Sequence, residues 1–466
     1  MRAQIDLQRW HNGRAWLTNS VLSVLGVALV MMARQFVAEQ HHYTIGFSGA
    51  SGWSDVLFVA AMAIVLTQPA NRATLWIVLG FAVAMRAMVL FTSPYLSTDI
   101  YRYVWDGIVQ HAHISPYRYV PGDPALSFLQ QRHPEVFLHI NRRDYAHTIY
   151  PPAAQIIYWL ATLFSSTVQA MKLAMFGFEC VTAAALIALL KQMGRRSTDV
   201  LLYAWCPLLV WEIGGAGHID AAIMAFVSLA LLFRYREQPV LTGLFLGFAV
   251  MTKFYPLVLL PALWRKDDWR MPVTVVGVCA FGYAIYASAG RLVFGFLGGY
   301  AEEEGLNSGT RYFLLDYAQR LPGLHWLTKT SYLVFCAAVF AAIVLWTWKH
   351  AASENLGANA KVERPAFLQA SMMLALALML LFSPHYPWYI AWLIPLMALY
   401  PNWTAVVYVC AFFYGFTTRW AMPGPRMFVL NTWIYFAVLC AFVVAIVWKR
   451  WRLARWFDCR GSQHAA

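Results

Sequence analysis

The chain contains many apolar runs that approach or reach the length needed to cross a bilayer, and this feature constrains its fold most. Hydrophobic residues make up 60% of its 466 residues and charged residues only 12%, whereas a soluble domain carries roughly 25% charged residues. Backbone polar groups inside a bilayer must be hydrogen-bonded within the chain, so such runs form helices. We therefore predict an all-α polytopic membrane protein, with one integral-membrane domain over residues 1–466.

The apolar runs predict a bundle of about 13–14 transmembrane helices, each crossing with up to roughly 20 residues. We also expect juxtamembrane helices and two large outer loops, at about 93–167 and 289–330. The predicted helices cover residues 16–35, 54–67, 74–92, 168–191, 199–212, 219–235, 240–252, 254–264, 271–288, 331–348, 366–383, 387–400, 404–418 and 432–448.

Basic residues predict the orientation of the chain, because the short cytoplasmic loops of membrane proteins are enriched in Lys and Arg. With the amino terminus in the cytoplasm, the clusters KQMGRR, RYREQ and WRKDDWR, the loop KHAASENLGANAKVER and the basic tail KRWRLARWFDCR are all inside. We predict that both termini are cytoplasmic. The net charge of +13 is accounted for by this topology, and we expect membrane lipids as partners and no nucleic acid.

For two segments, length alone does not decide how they are placed relative to the membrane. Residues 150–164 are apolar enough to cross the membrane, but a crossing there would place KQMGRR outside; we therefore predict a helix on the outer surface. Residues 240–264 could form one long helix around Pro256, but this would move the basic tail outside. For that segment we predict a hairpin of two short helices that turns at Lys253.

Polar motifs collect on the predicted outer face. Convergence of ionisable groups at one end of a helical bundle indicates a single cavity that opens on that side. The motifs are STDIYRYVWDG at 97–107, WEIGGAGHIDA at 211–221, MTKFYP at 251–256, YAEEEGLNSGTRY at 300–312 and SPHYPWY at 383–389.

The ordered set STDIYRYVWDG, ISPYRYVPGDPAL, NRRDYAHTIYPPAAQ, GHIDA, KFYPLVLLPAL and SPHYPWYIAWLIPL resembles the GT-C glycosyltransferases. Within them it is most similar to bacterial mannosyltransferases that use polyprenyl-phosphate mannose. The resemblance implies a GT-C-type bundle in the bacterial cytoplasmic (inner) membrane, with its active site facing the periplasm. It also implies a polyprenyl-phosphate sugar donor, a lipid or glycan acceptor, and a catalytic aspartate matched here by Asp99.

Many relatives carry a pair of acids at this place, whereas this chain has Thr98, Asp99 and Ile100. A chelating DxD motif is therefore absent. The thirteen histidines also show no spacing of the HxxxH kind that would hold a metal. We expect no metal and no cofactor.

Helix spacing and carboxylate chemistry also suggest roles for the residues around Asp99, independently of the resemblance. Arg102, Tyr103 and Asp106 follow on one face of a helix that would begin near Asp99. An ionised aspartate can take the proton of an acceptor hydroxyl, and we assign this role to Asp99. Asp106 lies roughly 10 Å further along the helix and is assigned to substrate binding or to structure. The alternative is that Asp99 only caps the helix and pairs with Arg102.

Cations on the outer face are candidates for binding the donor phosphate, because departure of a lipid phosphate leaves negative charge to be stabilised. The alternatives are an ordinary snorkelling lysine and solvated loop arginines. Arg86, inside the third predicted span, is expected to pair with an acid of the site. The phosphate-binding candidates are Lys253, Arg102, Arg142, Arg143 and Arg311.

Aromatic and polar residues of the same motifs are candidates for contacting the sugar, the lipid head or the acceptor. The alternatives are that His218 and Asp220 join two helix ends, and that the aromatic side chains form an interfacial belt. The candidates are Tyr103, Asp106, Tyr150, His218, Asp220, His385, Tyr386 and Trp388.

We therefore predict an inverting hexosyltransferase that moves a sugar, mannose by the resemblance, from a polyprenyl phosphate to a hydroxyl group. Two other functions stay open. A transporter or flippase would also have many spans, although transporters tend to place charges at mid-membrane in two related halves. A ligase that transfers a polyprenyl-linked glycan would share the outer-face site.

Overall fold

The computed structural model describes residues 2–39, 45–354, 365–421 and 427–461. Within these ranges the chain forms helices and no β-strand, so the predicted all-α class is confirmed. Most of the basic loop predicted at 349–364 lies outside the described residues.

In chain order the helices are α1 (Arg2–Glu39), α2 (Ile45–Thr67), α3 (Arg72–Leu90), α4 (Asp99–His111), α5 (Ser127–Arg132), α6 (Pro134–Phe137), α7 (Pro152–Thr162), α8 (Val168–Gln192), α9 (Leu201–Ala204), α10 (Pro207–Leu209), α11 (Asp220–Tyr235), α12 (Pro239–Val250), α13 (Leu260–Leu263), α14 (Arg270–Ile285), α15 (Leu297–Glu303), α16 (Phe313–Gln319), α17 (Lys329–Glu354), α18 (Ala366–Phe382), α19 (Ile394–Leu399), α20 (Trp403–Ala421) and α21 (Met427–Gly461).

Six helices of the described chain are long and apolar enough to cross a membrane, and a bent pair, Arg270–Ile285 with Ala287–Glu303, would make seven. Four shorter apolar helical segments accompany them. Fewer helices are long enough to cross a membrane than the predicted 13–14, because the middle of the chain is divided into short helices. The long segments are Arg14–Glu39, Ser48–Thr67, Arg72–Leu90, Val168–Gln192, Lys329–Lys349 and Phe428–Trp448.

The segment 240–264 forms the predicted hairpin and not one long helix. Helix α12 ends at Val250, and after Lys253 the chain continues as a 3₁₀ helix, Tyr255–Leu259. The returning arm ends beside the start of α12, because Arg265 Nη1 lies 3.0 Å from the carboxylate of Glu237. Lys253 therefore sits at the tip, at the opposite end of the bundle from Arg265.

Three of the basic clusters predicted to be cytoplasmic, KQMGRR, RYREQ and WRKDDWR, share one end of the bundle. Arg196 donates to the carbonyl of Gln68 at 2.8 Å, and Tyr235 donates to the carbonyl of Gln192 at 3.1 Å. The ammonium of Lys266 lies 4.5 Å from a ring centroid of Trp348. We call this the basic end. Asp99 and Lys253 line one cavity at the other end, which we call the site end.

Arg86 in α3 pairs with Glu179 of α8 and not with an acid of the site, so the predicted partner was wrong. Its Nη2 lies 2.8 Å from Glu179 Oε1, both side chains are buried, and Nη1 donates to the carbonyl of Ala204. The pair joins α3, α8 and α9. Breaking such a buried pair by removing one partner typically costs about 3–5 kcal/mol. Its role here is structural.

The segment between α3 and α8 forms a layer of short helices and loops at the site end. Helices α4 and α7 pack together, and α7 has 11 residues, about 16 Å of helix, too short to cross a bilayer. The predicted helix at 150–164 is therefore confirmed as a short, non-spanning helix. Gly217, with φ +74°, lets the loop before α11 approach this layer, because a Cβ atom there would lie 2.4 Å from Cδ1 of Ile100.

Candidate active site

A polar cavity of about 500 Å³ opens at the site end. Its wall is formed by the start of α4, the loop before α7, the tip of the hairpin, helix α15 and the segment after α18. Chain segments that are distant in sequence therefore meet around one space. The lining residues include Asp99, Arg102, Asn141, Arg142, Tyr150, Lys253, Tyr300, Glu304, Tyr386, Trp388 and Tyr389.

Asp99 is the first residue of α4 and lines this cavity. Its backbone N–H donates to the hydroxyl of Ser97 at 3.3 Å, and the side chain of Thr98 makes no capping bond. The carboxylate accepts a hydrogen bond from the amide of Asn141 at 3.1 Å. Arg102 is bound to another acid, so the alternative in which Asp99 pairs with Arg102 is wrong.

The surroundings of Asp99 suit a proton acceptor. Burial raises the pKa of this carboxyl group above its usual range, and the charge of Asp220 acts in the same direction. The hydrogen bond from Asn141 and the positive charges of Lys253 and Arg142 act against this shift. A base whose pKa is raised toward neutrality takes a proton more readily than an ordinary surface aspartate.

Asp106 and Arg102 form a buried network at the cavity wall, which Arg102 lines and Asp106 supports. Arg102 Nε lies 2.8 Å from Asp106 Oδ1, and Arg102 also donates to the carbonyl of Ala146 at 3.0 Å. The other carboxylate oxygen of Asp106 accepts bonds from Thr148 at 2.6 Å and from Gln155 at 2.8 Å. Because both oxygens of Asp106 are occupied, this acid holds α4, the loop and α7 together.

Lys253 reaches the cavity from the hairpin tip and is fixed by a buried acid. Its ammonium lies 2.5 Å from Asp220 Oδ2, and Asp220 is fully buried at the start of α11. The second oxygen of Asp220 accepts a hydrogen bond from Tyr255 at 2.5 Å. The ammonium also lies 5.1 Å from the ring centroid of Tyr389, a cation–π distance. An ammonium has three donors, so donors remain for a ligand in the cavity.

A second acidic group lies in the cavity wall and is paired with cations. Glu304 binds Arg311, and its carboxylate lies 3.3 Å from Nδ1 of His385. Burial acts to raise the pKa of Glu304, but the hydrogen bond from His385 and the charge of Arg311 outweigh it, so this pKa lies below its usual range. The pKa values of two carboxyl groups in one cavity are therefore shifted in opposite directions, that of Asp99 upward and that of Glu304 downward.

Tyr389 contacts two cations of the site, Lys253 and Arg311. Its hydroxyl is hydrogen-bonded to that of Tyr300. The guanidinium carbon of Arg311 lies 5.7 Å from the Tyr389 ring centroid. The ring of Tyr389 is thus in cation–π contact with both Lys253 and Arg311.

The remaining arginines differ in position. Arg142 lines the cavity and binds Glu303 of α15 at 2.7 Å, with both side chains one-third exposed. This pair joins the loop before α7 to α15. Arg143 instead lies 5.0 Å from the ring centroid of Phe137 and donates to the carbonyl of Leu138. Arg143 is the one predicted site residue that the structure does not bring to the cavity or to its supporting residues.

Aromatic rings form much of the remaining wall. Trp388 stacks on Tyr386 with ring centroids 4.6 Å apart. Trp388 also stacks on His218, at 4.0 Å, and on Tyr389, at 6.1 Å. The Nε2 atom of His218 lies 3.4 Å from the carboxylate of Glu212, and both side chains are buried. His218 therefore supports the aromatic wall from behind and does not line the cavity.

Tyr150 lines the cavity near Asp99, and its hydroxyl donates to that of Tyr103 at 3.4 Å. Tyr103 in turn stacks on Tyr158 of α7, with centroids 4.7 Å apart. Tyr103 therefore acts through its neighbours, and Tyr150 is the ring that a ligand could contact.

Several cavity or supporting residues were not singled out from the sequence, and five of them illustrate why. Tyr255, Tyr389, Tyr300 and Glu304 lie in motifs that had been recognised as polar, and Asn141 begins NRRDYAH. A lone Tyr or Asn carries no signal of its own. Their positions in the MTKFYP, SPHYPWY and YAEEEG motifs could have identified four of them.

No group of three His, Cys, Asp or Glu side chains with metal-binding geometry occurs in the part of the chain that the structure describes. The partner of Asp99 is an amide, Asn141. The expectation that the reaction needs no metal ion stays a prediction. The cavity thus brings together a carboxylate, Asp99, of the kind that accepts protons and an ammonium, Lys253, of the kind that binds anions.

Comparison with known proteins identifies the class of this chain as a membrane-embedded glycosyltransferase. Residues 148–384 match the model of glycosyltransferase family 87, and residues 6–265 match the model of the alpha-(1->6)-mannopyranosyltransferase N-terminal domain. Each match covers slightly more than half of the chain, and together they include every predicted site residue except His385, Tyr386 and Trp388. The chain therefore belongs to glycosyltransferase family 87 and is of the GT-C mannosyltransferase type that its motifs resembled. No curated protein and no solved structure matches it.

Proposed function

We propose that this glycosyltransferase moves mannose from a polyprenyl phosphate to a hydroxyl group of a lipid or glycan, with inversion at the anomeric carbon and Asp99 as general base. The observation that carries the proposal is the single cavity in which the hydrogen-bonded carboxylate of Asp99 and the ion-paired ammonium of Lys253 both line the wall. Proton removal and anion binding are the two tasks that this reaction requires.

In this reaction the acceptor oxygen forms a bond to the anomeric carbon of the sugar as the bond from that carbon to the phosphate oxygen breaks. Asp99 takes the proton of the acceptor hydroxyl group. The leaving group is a polyprenyl phosphate, whose increased negative charge would be stabilised by Lys253. Asp220 holds the Lys253 ammonium in place, and the Asn141 amide orients the Asp99 carboxylate. Arg142 and Arg311 are proposed as further positive charges near the phosphate.

The proposed orientation follows from the two ends of the bundle. Basic residues at one end favour the cytoplasmic side, so the site end would face the outside of a bacterial inner membrane. A lipid-linked donor suits a cavity at the head-group level of a membrane protein. A polyprenyl-linked glycan ligase remains the second candidate, because it would use the same kind of cavity.

The deciding experiment uses membranes that contain overexpressed protein and radiolabelled polyprenyl-phosphate mannose. We expect label to pass to a new lipid or glycan on thin-layer analysis, with polyprenyl monophosphate released. Release of polyprenyl diphosphate would indicate a ligase instead. Movement of intact donor across the bilayer without transfer would contradict both enzymatic functions.

Asp99→Asn tests the base within the same assay. Asn keeps the size of the side chain but cannot accept the proton, and loss of a general base typically costs about 10²–10⁴-fold in rate. The matched control is Asp144→Asn, an exposed acid of the same loop that does not line the cavity. A well-folded Asp99→Asn protein that keeps more than about a tenth of the rate, well short of that range, would show that Asp99 is structural.

A further inference from the structure

Glu303 is the last residue of α15 and lies outside the cavity lining, although Tyr300 and Glu304 on either side of it line the cavity. Both of its carboxylate oxygens are bound by the loop before α7. Oε2 lies 2.7 Å from Nε of Arg142, and Oε1 accepts a hydrogen bond from the hydroxyl of Tyr145 at 3.1 Å. One acid outside the cavity therefore holds two residues of this loop.

The same loop carries the amide that binds the proposed base. Asn141 directly precedes Arg142, and its Nδ2 donates to Oδ1 of Asp99 at 3.1 Å. Asn141 is exposed, so water competes for the amide and for the carboxylate. The fraction of time for which this hydrogen bond exists therefore depends on how firmly the loop backbone is held.

The backbone next to Asn141 has an unfavourable conformation. Arg142 has a φ of +53°, in the left-handed region that residues with a Cβ atom rarely adopt. Such conformations persist where surrounding contacts fix them. The Arg142 carbonyl accepts a hydrogen bond from the N–H of Ala146 at 3.0 Å, and the Arg142 side chain is fixed by Glu303. Loss of Glu303 would remove the side-chain half of this support.

Aromatic contacts join the same two segments. The ring of Tyr145 packs edge-on against Phe296, with ring centroids 5.7 Å apart. The guanidinium carbon of Arg142 lies 5.8 Å from the ring centroid of Tyr300. Because Phe296, Tyr300 and Arg142 all line the cavity, the loop and α15 form one continuous part of its wall, and Glu303 links them.

We infer that Glu303 is a positioning residue for the reaction, which holds Asn141 against Asp99 through Arg142 and Tyr145 and so sets how readily Asp99 accepts the proton. The inference rests on the proposed function and deepens it, because it requires Asp99 to be the base. Glu303 lies outside the cavity lining, so its effect on the reaction is indirect.

Two effects of losing Glu303 would shift the pKa of Asp99 in opposite directions. Removal of a negative charge by itself favours the Asp99 carboxylate and lowers this pKa. Loss of the Asn141 hydrogen bond, which favours the carboxylate, raises it. The other titratable groups around Asp99 are unchanged by a Glu303 substitution, and the phenols among them are uncharged at neutral pH. These groups are Lys253, Arg142, Asp220 and Glu212, with Tyr103, Tyr150, Tyr158 and Tyr389.

Glu303→Ala is the test, in membranes that contain the full-length protein, and the measurement is kcat/KM for mannosyl transfer against pH. We expect the acid limb to move to higher pH by about half a unit, less than in Asn141→Ala. The double variant Asn141→Ala with Glu303→Ala should shift no further than Asn141→Ala alone, because the hydrogen bond is already absent.

The matched control is Glu302→Ala. Glu302 is the adjacent exposed acid of α15, and its side chain makes no hydrogen bond or ion pair within the described chain. This variant removes the same charge from the same helix, so its acid limb should stay in place or move slightly to lower pH. Glu303→Gln keeps an acceptor for Arg142 and should show a smaller shift than Glu303→Ala. It also provides the test if Glu303→Ala fails to fold.

Amide hydrogen exchange in the purified protein gives a measurement that does not depend on transfer. If Glu303 holds the loop, exchange over residues 139–146 should be faster in Glu303→Ala than in the unaltered protein or in Glu302→Ala. Unchanged exchange over this loop would contradict the inference.

The kinetic outcomes separate failure of this inference from failure of the proposed function. An acid limb that stays in place or moves to lower pH in Glu303→Ala, while Asn141→Ala moves it to higher pH, would overturn the inference and leave Asp99 as the base. Shifts that add in the double variant would also overturn it, because Glu303 would then act independently of Asn141. An unchanged limb in Asn141→Ala would contradict the proposed function itself, and faster exchange in Glu303→Ala would then show that Glu303 only holds the loop.

Discussion

At the residue scale, two aspartates on one helix have different environments. Both oxygens of Asp106 are bound by buried partners, whereas Asp99 lines the cavity and is bound by one amide. Helical spacing places them on neighbouring parts of one helix but cannot tell which side chain is enclosed. Fully enclosed acids are suited to holding structure, and a partly accessible acid is suited to proton transfer.

Asn141→Ala should raise the pKa of Asp99 further. The Asn141 hydrogen bond favours the charged carboxylate, so its loss leaves burial less opposed. Since the base must be deprotonated, activity falls as the pH drops through this pKa. We expect the acid limb of kcat/KM against pH to move to higher pH, by up to about one unit.

The control for this measurement is Asn402→Ala, which removes an amide that caps α20, a helix with no residue in the cavity wall. An unchanged acid limb in Asn141→Ala would show that Asp99 is not the group that limits the rate at low pH.

At the scale of elements, the hairpin tip is held by α11. Lys253 and Asp220 form the link, with Asp220 fully buried. The hairpin itself was predictable, because the alternative moved basic residues to the wrong side. The partner of Lys253 was not predictable, since GHIDA and MTKFYP are separated by 29 residues, two apolar runs around RYREQ, that give no information about which polar groups meet.

Lys253→Met should destabilise the protein, because Asp220 is left as an unpaired buried charge. Removing one partner of a buried pair typically costs about 3–5 kcal/mol. The double variant Lys253→Met with Asp220→Asn removes both charges and should recover part of this stability in thermal unfolding. We expect it to stay inactive, because the phosphate ligand is still missing. A double variant that regains activity would contradict the role of Lys253 in the reaction.

At the scale of the whole molecule, polar chemistry and basic charge occupy opposite ends of the bundle. Arg132 lies in the segment that forms the site end, and Gln238 lies beside Glu237, whose carboxylate binds Arg265 at the basic end. Both side chains are exposed. The structure fixes that the two ends are opposite, and the distribution of Lys and Arg predicts which end is cytoplasmic.

Single cysteines test this orientation in a background without the seven native cysteines. An impermeant thiol reagent added from outside should label Arg132→Cys in intact cells. It should label Gln238→Cys only after the membrane is opened. The reverse pattern would place the cavity in the cytoplasm and would require a cytoplasmic donor.

The sequence alone determined the class of protein, the segments that lie at each end and the family, because apolar length, Lys and Arg bias and ordered motifs are local properties of the chain. It also pointed to most of the cavity, since thirteen of the fourteen predicted site residues line the cavity or support its wall. Only the tertiary structure decided the pairs: Arg102 with Asp106, Lys253 with Asp220, Arg86 with Glu179 and Glu304 with Arg311. Ion pairs depend on distances of a few ångströms between side chains that packing brings together, and two of these pairs, Lys253 with Asp220 and Arg86 with Glu179, join segments that are distant in sequence. Sequence spacing along a helix could suggest Arg102 with Asp106, but no local pattern distinguishes among the acids and cations that share one face of a membrane.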